Sequence, residues 1–310
     1  MSEIDAGSYR ERRSTTVGGT LWTRTADGAA GWILPDGCLD VLWDGRDLTV
    51  AGPDTVGRRT EAPAGTSYAA LRFDSGVGPV VLGLPADALR DQQPLLADVL
   101  PRAEVERLAD ALHAADTAAA GLVAAAAGGA ADLGLAIQAG AAQAGAADLG
   151  LAAQVGAAQV GAVQTGAVQA GAAQAGAVQV RTTAGGAVGI GPAGLGLERW
   201  ATGRLGAGPS PDASMRRVVE LLDGGLRVSD VADAVGLGER QLHRRSLIAF
   251  GYGPKVLARI LRMQRALALA RHGTQFARTA AEAGYADQAH LAREVRALAG
   301  RPLGQLVTTG

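Results

Sequence analysis

The chain has 310 residues, enough for two domains of ordinary size, with 29 Lys/Arg against 30 Asp/Glu. Its one cysteine, Cys38, excludes an internal disulfide framework and a zinc site built on several thiolates. The four histidines (His113, His243, His272 and His290) have no metal-ligand spacing, so neither a metal nor another cofactor is expected.

Charge is unevenly distributed. From Asp212 to the end there are 15 Lys/Arg and 9 Asp/Glu, a net of +6, which leaves the remainder at −7. A basic third behind an acidic body is the asymmetry expected when one domain meets a polyanion. The first residues, MSEIDAGSYRERR, are charged throughout and lack the apolar run of a secretory signal. Later uncharged runs are Ala/Gly with regular Gln, too poor in Leu, Ile and Phe for a membrane span. The expectation is a soluble, cytoplasmic protein that engages no membrane.

Residues 1 to about 100 read as β-rich. A turn at Pro35-Asp36-Gly37 precedes a strand at Cys38–Trp43, and Asp44-Gly45 leads to a strand at Leu48–Val50, a hairpin signal. Tyr68–Phe73 is a further short strand, and Pro85 suits the first turn of a helix in LPADALRDQQ. Short strands between many Gly and Pro predict a small antiparallel β-barrel or sandwich.

From about 101 to 126, Val105, Leu108 and Leu112 recur at helical spacing. A repeat follows. ADLGLAIQAGAAQAGA (131–146) is succeeded by ADLGLAAQVGAAQVGA (147–162), which differs at three positions, and Gln then recurs every five residues from Gln154 to Gln179. Glycine at that frequency weakens a helix by roughly 1 kcal/mol per position relative to alanine. Few side chains could fill a solenoid core, so a low-complexity linker is the expectation and a pentapeptide solenoid the alternative. Helical character resumes at GLERWATGRL.

Residues 212–310 read as all helix. Asp212 or Ser214 is expected to cap the first helix and Ser229 the second. A long amphipathic helix starts with Pro254 at its first position and stops at Gly273. Two stretches share one plan: SDVADAVGLGERQLHRR and ARTAAEAGYADQAHLAREV each give a short helix, a central Ala, a Gly at a turn and a second helix. That is helix-turn-helix logic. Ala232, and Ala280 or Ala281, let two helices cross closely, Gly236 and Gly284 supply positive φ, and Asp287 can cap the restarting helix. Helical phase puts Leu291, Val295 and Leu298 on a core side, opposite Ala289, Arg293 and Arg296, with Gln288 and Ala292 at the edge. In the first unit Leu242, Ser246 and Ala249 lie opposite Arg240, Arg244 and Leu247, flanked by His243. Arginine can pair with guanine or grip phosphate, Gln can read adenine, and Ala or Leu can touch a thymine methyl. The candidate DNA-binding residues are therefore Arg240, His243, Arg244, Gln288, Ala289, Ala292, Arg293 and Arg296.

The stretch GERQLHRR…AFGYGPKVLARILRMQRAL…AAEAGYADQAHLAREVRALAGRPL resembles the DNA-binding domain of AraC/XylS-type transcription regulators over about 95 residues. The resemblance implies two helix-turn-helix units joined by a long helix, reading adjacent major-groove segments of double-stranded DNA. Arg240, His243 and Arg244 fall on the family's first recognition-helix positions, and Gln288, Ala289, Ala292 and Arg293 on its second. Gly238 departs from the usual Ser cap, and Ser246 from a usual core Phe. WILPDGCLDVLW…VAGPDT…LRF…LGLPADALRD is similar to the sensor half of one subgroup. That similarity implies a cupin-like barrel for a small-molecule effector or for dimerisation. Trp22, Trp32 and Trp43 read as core residues, with a pocket lining as the alternative.

The fold expected is therefore an α+β multidomain chain: a β-rich domain at 1–100, a helical linker at 101–211 interrupted by the repeat at about 127–190, and a double helix-turn-helix domain at 212–310. The function expected is a sequence-specific transcription regulator, not an enzyme. RNA polymerase and a second copy of the chain are candidate partners. A scaffold using the repeat is one alternative. An Ada-like alkyl-transfer regulator is another, opposed by the single cysteine.

Overall fold

The structure is a computed structural model and describes residues 9–128 and 190–308. The repeat, at about 127–190, lies outside the described residues apart from its edge positions 127, 128 and 190.

The N-terminal half is built on an antiparallel sheet in the order β1-β2-β7-β4-β5, from β1 (Tyr9–Arg13), β2 (Gly19–Thr25), β4 (Leu39–Trp43), β5 (Leu48–Ala51) and β7 (Ser67–Phe73). A separate pair joins β3 (Gly31–Ile33) to β6 (Arg58–Thr60). Period-two alternation sends Leu21, Leu71, Phe73, Val41, Trp43, Leu48 and Val50 to one face, where all are buried. The other face is polar: Trp22 Nε1 donates to Asp40 at 3.1 Å, and Arg72 bridges Asp36 and Asp40 at 3.3 Å each. The expected hairpin of β4 and β5 is present, with Val41 opposite Val50.

The expected barrel does not close. Closure would pair β1 with β5, but the outer edge of β5 is already taken by the chain at 92–95. Val50 N donates to Pro94 O and Gly52 N to Gln92 O, both at 3.0 Å. The helix expected after Pro85 is only a 3-10 turn, Ala86–Ala88.

Short helices α1 (Gly78–Leu82) and α2 (Leu96–Val99) lead into α3 (Arg102–Gly128), and α4 (Gly191–Ala207) follows the undescribed segment. Val105, Leu108 and Leu112 of α3, with Ala193, Leu197 and Ala201 of α4, share one core with the buried sheet face. Arg204 on α4 is ion-paired to Glu104 on α3 at 2.9 Å, and Glu198 to Arg12 of β1 at 2.6 Å. The two helices therefore pack antiparallel over the sheet.

The C-terminal third contains only helices: α5 (Ala213–Asp223), α6 (Val228–Ala234), α7 (Glu239–Phe250), α8 (Pro254–Arg271), α9 (Phe276–Glu282), α10 (Gln288–Ala299) and α11 (Leu303–Thr308). Its core gathers Met215, Val218, Leu222, Leu242, Leu257, Ile260, Met263, Leu267, Leu291, Val295 and Leu298 around α8. Asp212 caps α5 by accepting from Ser214 N at 2.9 Å. Ser229 caps nothing: α6 starts one residue before it, and its hydroxyl turns to Asp230 at 3.2 Å. Pro254 opens α8, and Gly273 follows its end at φ 83°.

Candidate nucleic-acid interface

The two helix-turn-helix units, α6–α7 and α9–α10, have matching turns. Gly236 N donates to Asp233 O (3.1 Å) and Leu237 N to Ala232 O (2.9 Å); Gly284 N donates to Ala281 O (3.2 Å) and Tyr285 N to Ala280 O (2.8 Å). Both are Schellman endings, which need a residue at positive φ, and Gly236 (φ 67°) and Gly284 (φ 81°) provide it. Ala232 and Ala280 are almost wholly buried, so a larger side chain at either would force the crossing helices apart.

The second helix of each unit then restarts differently. Asp287 caps α10 by accepting from His290 N at 2.6 Å. Gly238 offers α7 no side chain, and only Gln241 reaches back, with Oε1 accepting from Gly238 N at 3.4 Å. A side-chain cap is worth roughly 1 kcal/mol, so α7 starts with the weaker restraint. Ser246 adds to this. It is fully buried and its hydroxyl has no hydrogen-bond partner. Phe250, also buried, carries its ring toward the N-terminal domain, where a Cβ on Gly76 would lie 3.6 Å from its Cε1.

All eight residues expected at the interface are exposed: Arg240, His243 and Arg244 on α7, and Gln288, Ala289, Ala292, Arg293 and Arg296 on α10. Core residues of the same helices point the other way, with Leu242, Leu291 and Val295 at 1% exposure or less. Arg240, Arg244, Arg293 and Arg296 make no ion pair among the described residues. Their neighbours do: Arg245 pairs with Asp212 at 3.5 Å, Arg259 with Glu294 at 2.8 Å and Arg265 with Asp223 at 3.0 Å. The hydrogen bonds from Arg259 hold the Glu294 carboxyl below the usual carboxylate range. The acid on α10 is thus turned inward and neutralised, which leaves the exposed side of the helix to its two free guanidinium groups.

His243 is exposed, but its ring lies against Gly253, where a Cβ would come within 2.7 Å of Nε2. It supports the turn into α8 as well as bordering the arginine face. His290 is engaged internally, accepting from Ala286 N at 3.3 Å and lying edge-on to Tyr285. Tyr285 packs inside the unit beneath the Arg262 guanidinium, and burial pushes its hydroxyl up to about 12. The three N-terminal tryptophans line no common pocket. Trp43 is in the core beside His113, Trp22 is on the polar sheet face, and Trp32 donates to Ala299 O at the end of α10. The role of Trp32 was missed from sequence, because a contact across 267 residues leaves no local pattern.

A helix-turn-helix domain family matches residues 214–308. No curated protein matches. Among solved structures, a probable AraC family transcriptional regulator from Rhodopseudomonas palustris CGA009 is 20% identical, covering 31% of this chain and 96% of its own, with a TM-score of 0.28. An apo variant of ToxT from Vibrio cholerae strain SCE256 is 9% identical, covering 97% and 99%, with a TM-score of 0.42. ToxT from Vibrio cholerae O395 is 8% identical, covering 97% and 98%, with a TM-score of 0.37. With its two Schellman-ended turns and the family match over the same residues, the C-terminal third is a helix-turn-helix domain, carried behind an N-terminal β domain.

Proposed function

We propose that α7 and α10 enter adjacent major-groove segments on one side of the duplex. On this reading Arg240, His243, Arg244, Gln288, Ala289, Ala292, Arg293 and Arg296 face the bases and their flanking phosphates. The observation that carries it is the pair of exposed faces whose arginines have no ion-pair partner among the described residues. Lack of a partner alone would not suffice, since Arg216, Lys255 and Arg271 are exposed and also make no ion pair among the described residues. It is the position of the four on the second helix of each unit that distinguishes them.

Residues 212–310 are then the reading domain, and the β domain ahead of it is the sensing or dimerising part. The polar sheet face carrying Tyr9, Trp22, Asp40 and Arg72 offers an effector both aromatic surface and charge. A second copy of the chain and RNA polymerase are partners in this proposal, and its compartment is the one that holds the DNA, the cytoplasm. No catalytic role is assigned. Burial and the nearby Asp36 push the Cys38 thiol well above its ordinary value, the opposite of what alkyl transfer asks of a nucleophile. No helix among the described residues is long and apolar enough to cross a membrane.

Selection from a random duplex library with the full chain tests this. The expected product is two conserved segments centred about 10–10.5 base pairs apart, the repeat that returns the major groove to one face. Recovery of a single segment, or of no motif, refutes it.

A further inference from the structure

The last carbonyls of an α-helix have no partner within the helix and take donors from elsewhere. In α10 those donors come from the N-terminal domain. Gly57 N donates to Leu298 O and Trp32 Nε1 to Ala299 O, both at 2.6 Å. The contact depends on glycine: a Cβ on Gly57 would come within 2.5 Å of Ala299 O and 2.7 Å of Trp32 Nε1. Arg301, just past the helix, stacks over the Trp32 ring at 5.3 Å.

The same domain holds the end of α7. Gly251 closes that helix at φ 81°, and a Cβ there would meet Pro53 Cγ at 2.5 Å. Its carbonyl accepts from Arg90 Nη1 at 3.1 Å. Between the two ends, the linking helix α8 is gripped as well. Leu257 packs on Gly37, and Gln264 Nε2 donates to Pro35 O. A pocket lined by Gly37, Pro53, Ala249 and Phe250 at this junction has room for one water, about 10 Å³.

A single short run of chain, Pro53-Asp54-Thr55-Val56-Gly57, thus touches the end of α7 with its first residue and the end of α10 with its last. Four residue steps span at most about 14 Å. The run is itself anchored: Thr55 N and Oγ1 donate to Asp91 Oδ1 at 2.6 and 2.9 Å, and Arg58 pairs with Asp54 at 3.1 Å. The eight proposed DNA-facing residues stay exposed throughout.

We propose that the N-terminal domain sets the spacing at which the two recognition helices meet DNA, with Trp32, Gly57 and Arg90 as positioning residues that hold the last turn of each. The inference rests on the assignment of α7 and α10 to the major groove. The residues act through the helices and touch no base. Because the run from Pro53 to Gly57 is tied to Asp91, a change in the β domain is carried to both recognition helices together.

The test compares full-length wild type with Trp32→Phe, which removes one donor, and Gly57→Ala, which forces the run off α10. Each is titrated against the selected two-segment site, against the same site lengthened by one or two base pairs, and against one segment alone. One added base pair moves the second segment by about 3.4 Å along the axis, and the wild type should lose about tenfold or more in affinity. In the variants the penalty for lengthening should shrink to about threefold or less, while affinity for the single segment stays within about twofold of wild type. Arg90→Met, at the α7 end, should reproduce the effect, so a Gly57→Ala protein that fails to fold still leaves two variants to decide. Variants that keep the wild-type spacing preference overturn the proposal. Equal losses on all three probes also overturn it, since they would mark Trp32, Gly57 and Arg90 as merely structural. A wild-type protein that selects no two-segment site would instead undo the groove assignment.

Discussion

Arg293→Ala gives the sharpest reading of the interface. Arg293 lies on the exposed side of α10, three residues before Arg296, and makes no ion pair or hydrogen bond among the described residues. Truncation should therefore change folding stability by no more than about 0.5 kcal/mol, as for other surface positions without special contacts. Its cost should appear only on DNA. A bidentate contact to a guanine is worth about 1–3 kcal/mol, or about 5- to 150-fold in affinity, with preference relaxed at one base position. A phosphate contact would instead weaken all sequences evenly and reduce the salt slope by about one. Two controls bracket the result. Arg271→Ala, at the end of α8, should do little to binding. Arg259→Ala strips Glu294 of its 2.8 Å partner and should lower the melting temperature without changing base preference. The assay is anisotropy titration of the selected site and its single-base variants, with a thermal melt of each protein. An Arg293→Ala protein that keeps the wild-type motif and affinity would remove α10 from the groove. The weaker cap and the unpartnered Ser246 leave α7 less firmly held, so Arg244→Ala should give the smaller sequence-specific loss.

Binding should be steeply salt dependent: if Arg240, Arg244, Arg293 and Arg296 each displace a counterion, the slope of log K against log salt is about −3.6 or steeper, a loss of about 10²-fold or more between 50 and 200 mM. A flat response in the titration would reduce the +6 charge to a solubilising surface. Ser246→Ala removes a buried hydroxyl that has no partner and should stabilise the protein by about 1 kcal/mol, read as a higher melting temperature. Glu294, hydrogen-bonded by Arg259, has a folded pKa below its unfolded value, so its contribution is complete above the unfolded pKa and fades as pH falls through the folded one. Glu294→Gln should accordingly flatten the acid limb of stability against pH, and an unchanged limb would mean the pair contributes nothing. Deleting 127–190 and joining α3 to α4 by a short turn should leave DNA affinity within about threefold, because the two helices already pack antiparallel around Leu112 and Leu197. Loss of binding or of the circular dichroism spectrum would make the repeat structural.

The C-terminal domain was legible in the sequence because its signals are local. Gly236 and Gly284 after their alanines, Asp287 at a helix start and the phase of Leu291, Val295 and Leu298 each act within a few residues. The structure keeps all of them. The exposed faces followed from the same phase, since a helix that buries one side must present the other. Local reading failed where a neighbour had first claim. Ser229 had the right side chain for a cap, but the chain entered α6 earlier, at Val228. The alternating strands implied a sheet, but closure depends on which groups reach its edges, and residues 92–95 occupy the edge of β5. Helical spacing located α3, but only tertiary packing assigned Val105, Leu108 and Leu112 to the core of the sheet. Likewise no pattern in the sequence joins Trp32 to Ala299 or Gly57 to Leu298. Those contacts exist because helix-end carbonyls need donors and the folded β domain brings two within reach. Periodicity and capping chemistry therefore determined the elements and their outward faces, while the partners of edges, helix ends and buried faces were decided by what the rest of the chain brought against them.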